Sequence, residues 1–252
     1  MTAQPQSSAE RGAGGRPSWY ALESGGWRDY VTILHLPYTG WHVSYVVIGG
    51  CLASAVAWGR LGAAAAAFAL AVGIGAHALD ELRGRPLGTR IPDRVLVALA
   101  FGSVALACAI GVVGAVTFRA WIALLVPVGV FLVTVYNLEL LGGRFHSDLW
   151  FGLAWGGFPV LCGYAAVAGR IDVTALAAAS FAVLLSLAQR VLSTHVRRVR
   201  RHVAVVRGEV ELRDGTTEHL DETALIGAAE RGLRLLAAAT MVLAVALVVA
   251  RL

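Results

Sequence analysis

Long apolar runs constrain this chain more than any other feature of its sequence. The clearest, "VLVALAFGSVALACAIGVVGAV" at residues 95–116, contains no charged residue. A helix needs about 20 apolar residues to cross a bilayer, and 58% of the 252 residues are hydrophobic. A soluble domain of this length would be much more polar. The sequence therefore predicts an all-α, polytopic transmembrane helix bundle.

The apolar runs and the connections between them predict seven spans. The connections after the first, third and fifth spans are short, whereas those after the second, fourth and sixth are longer and polar. The predicted spans are residues 42–58, 62–79, 95–117, 120–136, 149–168, 173–192 and 224–250.

The distribution of arginine predicts the orientation of the spans. All 21 basic residues are arginine, and all but Arg60, Arg119, Arg170 and Arg251 lie on the side of the longer connections and of the N-terminus. Cytoplasmic loops are enriched in basic residues. We therefore predict an integral protein of the cell's inner or plasma membrane with a cytoplasmic N-terminus. Topology then accounts for the net charge of +5, with membrane lipids and no nucleic acid as partners.

Outside the spans, composition divides the chain into three parts. Residues 1–17 are polar and rich in Gly, Pro and Ser, which predicts a disordered tail. Residues 18–41 mix aromatic and charged residues, as an amphipathic segment at the membrane interface does. Residues 42–252 form the transmembrane domain, with a cytoplasmic polar insert at 194–222 whose alternating pattern predicts a short strand pair.

Ionisable residues at the inner end of the second span are the first functional candidates. His77, Asp80 and Glu81 are spaced i, i+3 and i+4, so a helix places them on one face. Carboxylates suit Mg²⁺, whereas an imidazole shifts the preference toward a transition metal. The alternative is a solvated helix end in which the two carboxylates pair with Arg83 or Arg85.

The loop that follows, "RGRPLGTRIP", contains Arg83, Arg85 and Arg90. Guanidinium groups match phosphate oxygens, and Mg²⁺ held by carboxylates bridges diphosphates. We therefore predict that this loop binds a diphosphate. Further polar residues are expected on the same face: Tyr136, Asn137, Arg144, Arg197 and Arg198. The last two suit either anionic lipid or an anionic substrate.

The order of these elements resembles the UbiA-type intramembrane prenyltransferase superfamily. The resemblance is carried by "LHLPYTGWHVSYVVIGGCLA", "AHALDELRGRPLGTRIP" and "YNLELLGGRFHSDLWFGLAWGGFPVLCGYAA". Members are all-helical, normally with nine spans, and transfer an isoprenyl group from a prenyl diphosphate to a lipid-soluble acceptor. The resemblance implies that function here, with an acceptor that the sequence does not specify.

The resemblance also implies roles for the candidate residues. Asp80, with Glu81 and His77, would hold Mg²⁺ or a transition metal, and Asp80, Tyr136 and Asn137 would be the catalytic residues. The diphosphate would be bound by Arg83, Arg85, Arg90, Arg144, Arg197 and Arg198. The last two stand in "LSTHVRRVRR", where the family has its second aspartate motif. A single span follows that motif, which leaves the bundle open to lipid, or completed by a second copy or a partner subunit.

Three other functions remain open from the sequence. The first is a UbiA-like terpene cyclase or lyase, which uses the same cation chemistry without an external acceptor. The second is a metal-dependent membrane enzyme built from the histidines and carboxylates. The third is a non-catalytic relative that binds lipid or a partner.

Overall fold

The computed structural model describes residues 20–252, so the predicted tail at 1–17 lies outside the described residues. Eight helices and a two-stranded hairpin account for most of the described chain. The helices are α1 (Trp27–Ile33), α2 (Leu36–Cys51), α3 (Trp58–Leu82), α4 (Asp93–Thr117), α5 (Ala120–Asn137), α6 (Asp148–Ala168), α7 (Val173–His202) and α8 (Glu222–Val249).

Six of these helices, α3 to α8, are long and apolar enough to cross a membrane. The structure thus confirms the prediction of a helical integral membrane protein. The first predicted span has a different extent, because α2 begins at Leu36, with Pro37 in its first turn, and ends after 16 residues at Cys51. At about 1.5 Å per residue, α2 is roughly 24 Å long, shorter than the hydrocarbon core of about 30 Å.

The bundle has two ends that differ in their connections. The long-connection end contains the chain segments at 83–92, 138–147 and 203–221, and the short-connection end contains those at 118–119 and 169–172. Helix α2 also runs between the two ends. Its N-terminal neighbour His35 stacks on His77 near the end of α3, and the Cys51 carbonyl accepts a hydrogen bond of 3.0 Å from Arg251 beyond the end of α8.

Glycines allow α2 to occupy the middle of the bundle. A Cβ atom on Gly49 would lie 2.1 Å from the carbonyl oxygen of Val160, and one on Gly163 would lie 2.0 Å from that of Val46. These contacts bring the α2 and α6 backbones together, as small residues do between membrane helices. The side chain of Tyr45 is consequently fully buried.

Two helices contain π-helical segments, in which the hydrogen bonds are looser than in an α-helix. They lie at Ala69–Ala76 in α3 and at Gly152–Gly157 in α6. The first ends directly before His77. Such segments occur frequently at functional sites because they re-aim the side chains around them.

The polar insert begins as a continuation of α7 and ends in the hairpin. Strands β1 (Glu209–Glu211) and β2 (Thr217–His219) pair antiparallel, and both are exposed. In the turn between them, Asp214 accepts hydrogen bonds from the Thr216 hydroxyl and backbone N–H. These two bonds hold the pKa of Asp214 below its usual value.

Candidate functional site

The candidate site lies at the long-connection end, around Asp80 in the last turn of α3. Among residues 20–252, no donor forms a hydrogen bond with the Asp80 carboxylate. Arg197 is the arginine whose charge acts most strongly on this carboxylate, followed by Arg201 and Arg83. Among residues 20–252, Arg197 donates a hydrogen bond only to the Thr194 hydroxyl, at 3.3 Å. Within this described range, the α3 carboxylate of Asp80 thus accepts no hydrogen bond and experiences the charges of Arg197 and Arg201 of α7, which form no ion pair.

Tyr136, at the end of α5, forms the aromatic side of the site. Its hydroxyl accepts a 3.0 Å hydrogen bond from Arg190, which also pairs with Asp148 at 2.9 Å. Its ring stacks on His146, with the centroids 4.5 Å apart, and stands perpendicular to Trp155 at 5.6 Å. Tyr136 is thus fixed by contacts from α6, α7 and the loop before α6.

Helix α2 contributes Tyr38 to the same region. The Tyr38 hydroxyl lies where Gln189 and the charges of Arg197 and Glu230 act on it. The site therefore draws on helices far apart in sequence, from α2 to α8.

Adjacent residues Asp80 and Glu81 have different environments. Glu81 is fully buried, and its carboxylate accepts hydrogen bonds from the Thr89 N–H and hydroxyl, both at 2.8 Å, and from the Leu87 N–H at 3.1 Å. Helix α3 stops just beyond it, because Arg83 leaves the helical conformation. The Glu81 carboxylate therefore holds the 83–92 loop against the end of α3.

The arginines of the 83–92 loop also differ in their environments. Arg85 donates to the carbonyl oxygens of Thr89 and Ile91, at 3.2 and 2.6 Å, and pairs with Asp93. Arg83 pairs with Glu139 at 3.2 Å. The third, Arg90, has an exposed side chain, and its backbone N–H donates to the buried Asp29 of α1 at 2.8 Å. Most of the loop's polar groups thus stabilise the loop itself.

The three predicted metal ligands face different neighbours. The His77 ring stacks on His35 at 4.1 Å, Glu81 faces the loop, and Asp80 faces the arginines. Across residues 20–252, no group of three or more His, Cys, Asp or Glu side chains has the arrangement of a metal site. Asp80 is left as the carboxylate with open coordination.

The remaining predicted site residues have other environments. Asn137 is buried and donates to the Val133 carbonyl of its own helix at 2.8 Å. Arg144 lines a shallow depression with Phe145 and Trp150. Arg198 is exposed, one residue beyond Arg197. These three do not contact Asp80.

Arg190 was absent from the predicted site, although the sequence carries a signal for it. It lies within the predicted span 173–192, and a charged residue inside a span is a functional candidate by default. Its contact with Tyr136 could not be read from sequence, because the two residues are 54 positions apart.

Comparisons of the chain with protein-family models, with curated proteins and with solved structures found no match.

Proposed function

We propose that the chain is a UbiA-type membrane prenyltransferase, which transfers an isoprenyl group from a prenyl diphosphate to a lipid-soluble acceptor. One observation carries the proposal: the charges of Arg197 and Arg201 act on the Asp80 carboxylate, which accepts no hydrogen bond among residues 20–252, and the charge of Asp80 in turn acts on Tyr136. Arg197 and Arg201, which form no ion pair among those residues, suit an anionic ligand, and a carboxylate without a hydrogen-bond donor suits a cation bound together with that ligand.

The residues present fit a single Mg²⁺ ion. Mg²⁺ retains several waters and usually binds through one or two carboxylates together with substrate phosphates, so Asp80 alone is a sufficient protein ligand. When bound, the ion would neutralise charge on the departing diphosphate. Arg197 and Arg201 would bind diphosphate oxygens directly, in place of a second acidic motif.

In this reaction, the bond between the first isoprenyl carbon and the diphosphate oxygen breaks, and its electron pair leaves with the diphosphate. The acceptor attacks the resulting allylic cation and releases a proton. Tyr136, His146 and Trp155 would exclude water from the cation with their rings. Arg190 would keep the Tyr136 ring in place through its hydrogen bond.

The proposal includes the membrane arrangement. Helix α2 would be the first of seven spans, completed by the residues after Cys51, because its two termini contact opposite ends of the bundle. The long-connection end, which carries most of the arginines, would face the cytoplasm.

Binding of prenyl diphosphates tests the proposal. The full chain is reconstituted in nanodiscs and titrated with geranyl, farnesyl and geranylgeranyl diphosphate, with and without Mg²⁺. Arg197→Ala is expected to weaken binding about tenfold, the loss of a charge-assisted contact. Asp80→Asn is expected to remove the dependence on Mg²⁺.

Arg94→Ala is the matched control, because Arg94 is an exposed arginine at the same end whose side chain forms no hydrogen bond or ion pair among residues 20–252. Equal binding by Arg94→Ala and Arg197→Ala, or no binding of any of the three diphosphates by the wild type, would contradict the proposal. Diphosphate release with a cyclised hydrocarbon product, in the absence of acceptor, would instead identify a terpene cyclase.

A further inference from the structure

A second group of polar side chains lies between α2, α3 and α6. Here a backbone carbonyl of each π-helical segment contacts a histidine ring. In α3, the Gly73 carbonyl oxygen lies in the π-helical segment and is 3.3 Å from Nδ1 of His77. In α6, the Trp155 carbonyl oxygen lies in the other π-helical segment and is 2.8 Å from Nδ1 of His42. Two irregular helix segments thus each fix one imidazole in the same way.

These contacts determine which ring nitrogen carries the proton. A carbonyl oxygen only accepts hydrogen bonds, so in each neutral imidazole Nδ1 is the donor and Nε2 carries the lone pair. Within residues 20–252, neither Nε2 atom has a hydrogen-bond partner. The two rings are also close enough for their charges to interact. The described part of the chain therefore contains two imidazoles whose Nε2 atoms can accept a hydrogen bond and have no donor.

The surroundings of these nitrogens are largely apolar. His35 covers one face of the His77 ring, and Trp155 lies 5.9 Å from the His42 ring. Helices α2 and α3 meet closely here, because a Cβ atom on Gly73 would lie 2.7 Å from the Thr39 side chain. An anion would be repelled by the lone pairs and would lose its hydration, whereas a hydroxyl group would supply the missing donor.

We infer that His42 and His77 bind the hydroxyl group of an uncharged, lipid-soluble ligand. The hydroxyl group donates a hydrogen bond to the lone pair of one Nε2 atom. The apolar part of the ligand lies among the surrounding helices. This site shares Trp155 with the proposed prenyl diphosphate site, but its chemistry does not depend on a diphosphate. The backbone carbonyls of the π-helical segments would serve to hold the proton of each neutral imidazole on Nδ1 and so leave the lone pair on Nε2.

Nitrogen NMR of the full chain in nanodiscs, with ¹⁵N-labelled histidine, tests the inference. His42→Asn and His77→Asn each remove one set of resonances and so assign them. The asparagine amide sits near the position of Nδ1, so it retains the bond to the backbone carbonyl and deletes Nε2. The probes are 1-octanol and methyl octyl ether, which differ by the hydroxyl proton.

In the free protein, both Nε2 resonances are expected at the position of an unprotonated nitrogen. Titration with 1-octanol is expected to shift at least one of them in a saturable manner, with affinity about tenfold above that of methyl octyl ether. His42→Gln, which places an amide oxygen near the position of Nε2, is expected to keep more of this preference than His42→Asn.

Three results would overturn the inference: protonated Nε2 in the free protein, equal responses to the two probes, or the same preference in the two asparagine variants. A shift of both Nε2 resonances with stoichiometric Zn²⁺ and none with 1-octanol would also overturn it, and would assign a metal site. Failure of prenyl diphosphate binding leaves these outcomes unaffected, so the two proposals are tested separately.

Discussion

Arg197 at the long-connection end differs from the arginines of the short-connection end in what it contacts. At the short-connection end, Arg60 donates to the Val167 carbonyl at 3.1 Å and its guanidinium lies 3.5 Å from the centre of the Phe118 ring. Arg251 donates to the Cys51 carbonyl, and Arg170 pairs with Asp172 at 2.9 Å. At the long-connection end, Arg197 has no close carboxylate partner among the described residues.

The difference follows from the protein groups that surround each arginine. Val167 and Cys51 are in the last turns of α6 and α2, where backbone carbonyls have no partner within their own helix. Arg60 and Arg251 supply those partners. Arg197, in contrast, lies where its charge acts on the Asp80 carboxylate, and among residues 20–252 it forms no ion pair. Arg60, Arg170 and Arg251 are thus bonded within the protein, whereas Arg197 has no carboxylate partner in the described part of the chain.

The largest expected effect is a difference in the free energy of unfolding between variants of Glu81 and Asp80, the two neighbouring carboxylates at the long-connection end. Glu81→Ala leaves three donors of the 83–92 loop without their acceptor, so we expect a loss of about 3 kcal/mol or more in the free energy of unfolding. Asp80→Ala is the matched control and should change that free energy little. Denaturant unfolding in mixed micelles measures both. Similar losses in the two variants would show that Asp80 is also structural.

The next prediction compares one arginine from each end. Arg60→Ala removes a hydrogen bond to a helix carbonyl and a contact with Phe118, so we expect a loss of about 2 kcal/mol in the free energy of unfolding. Arg197→Ala should leave that free energy nearly unchanged. The comparison fails if Arg197→Ala unfolds as easily as Arg60→Ala in the same micelles.

The smallest expected effect is a dependence of stability on pH, caused by Asp172 at the short-connection end. The pKa of Asp172 is lowered to about 2, first by the hydrogen bond from the Tyr164 hydroxyl and then by that from Arg170. Because the folded-state pKa lies below the ordinary value of about 3.9, the stabilisation is present above that value and is lost as pH falls toward 2. We expect a modest stability difference from Asp172→Asn at pH 6 that disappears near pH 2.

Asparagine also caps helices, so this variant preserves the bonds from Asp172 to the backbone of α7 and isolates the contacts with Tyr164 and Arg170. Thermal unfolding at several pH values measures the difference. A difference that stayed constant down to pH 2 would mean that the carboxylate charge does not contribute.

The sequence predicted several residues of the candidate site but not the contacts between them. Asp80 and Tyr136 were both predicted, because each is a polar residue where an apolar run ends. Their common neighbour Arg197 was predicted as well, from the basic run in the 194–222 insert. His42 was not predicted, since a single histidine in an apolar helix gives no signal before its neighbours are known.

The sequence by itself determined the class of the molecule. Apolar runs near the length of a bilayer must become helices there, because each backbone group needs a hydrogen bond inside its own segment. Only the tertiary structure decided that Glu81 holds a loop while Asp80 accepts no hydrogen bond from the described residues 20–252. The two differ by one position, or 100° around a helix, so the neighbouring elements determine what each side chain meets.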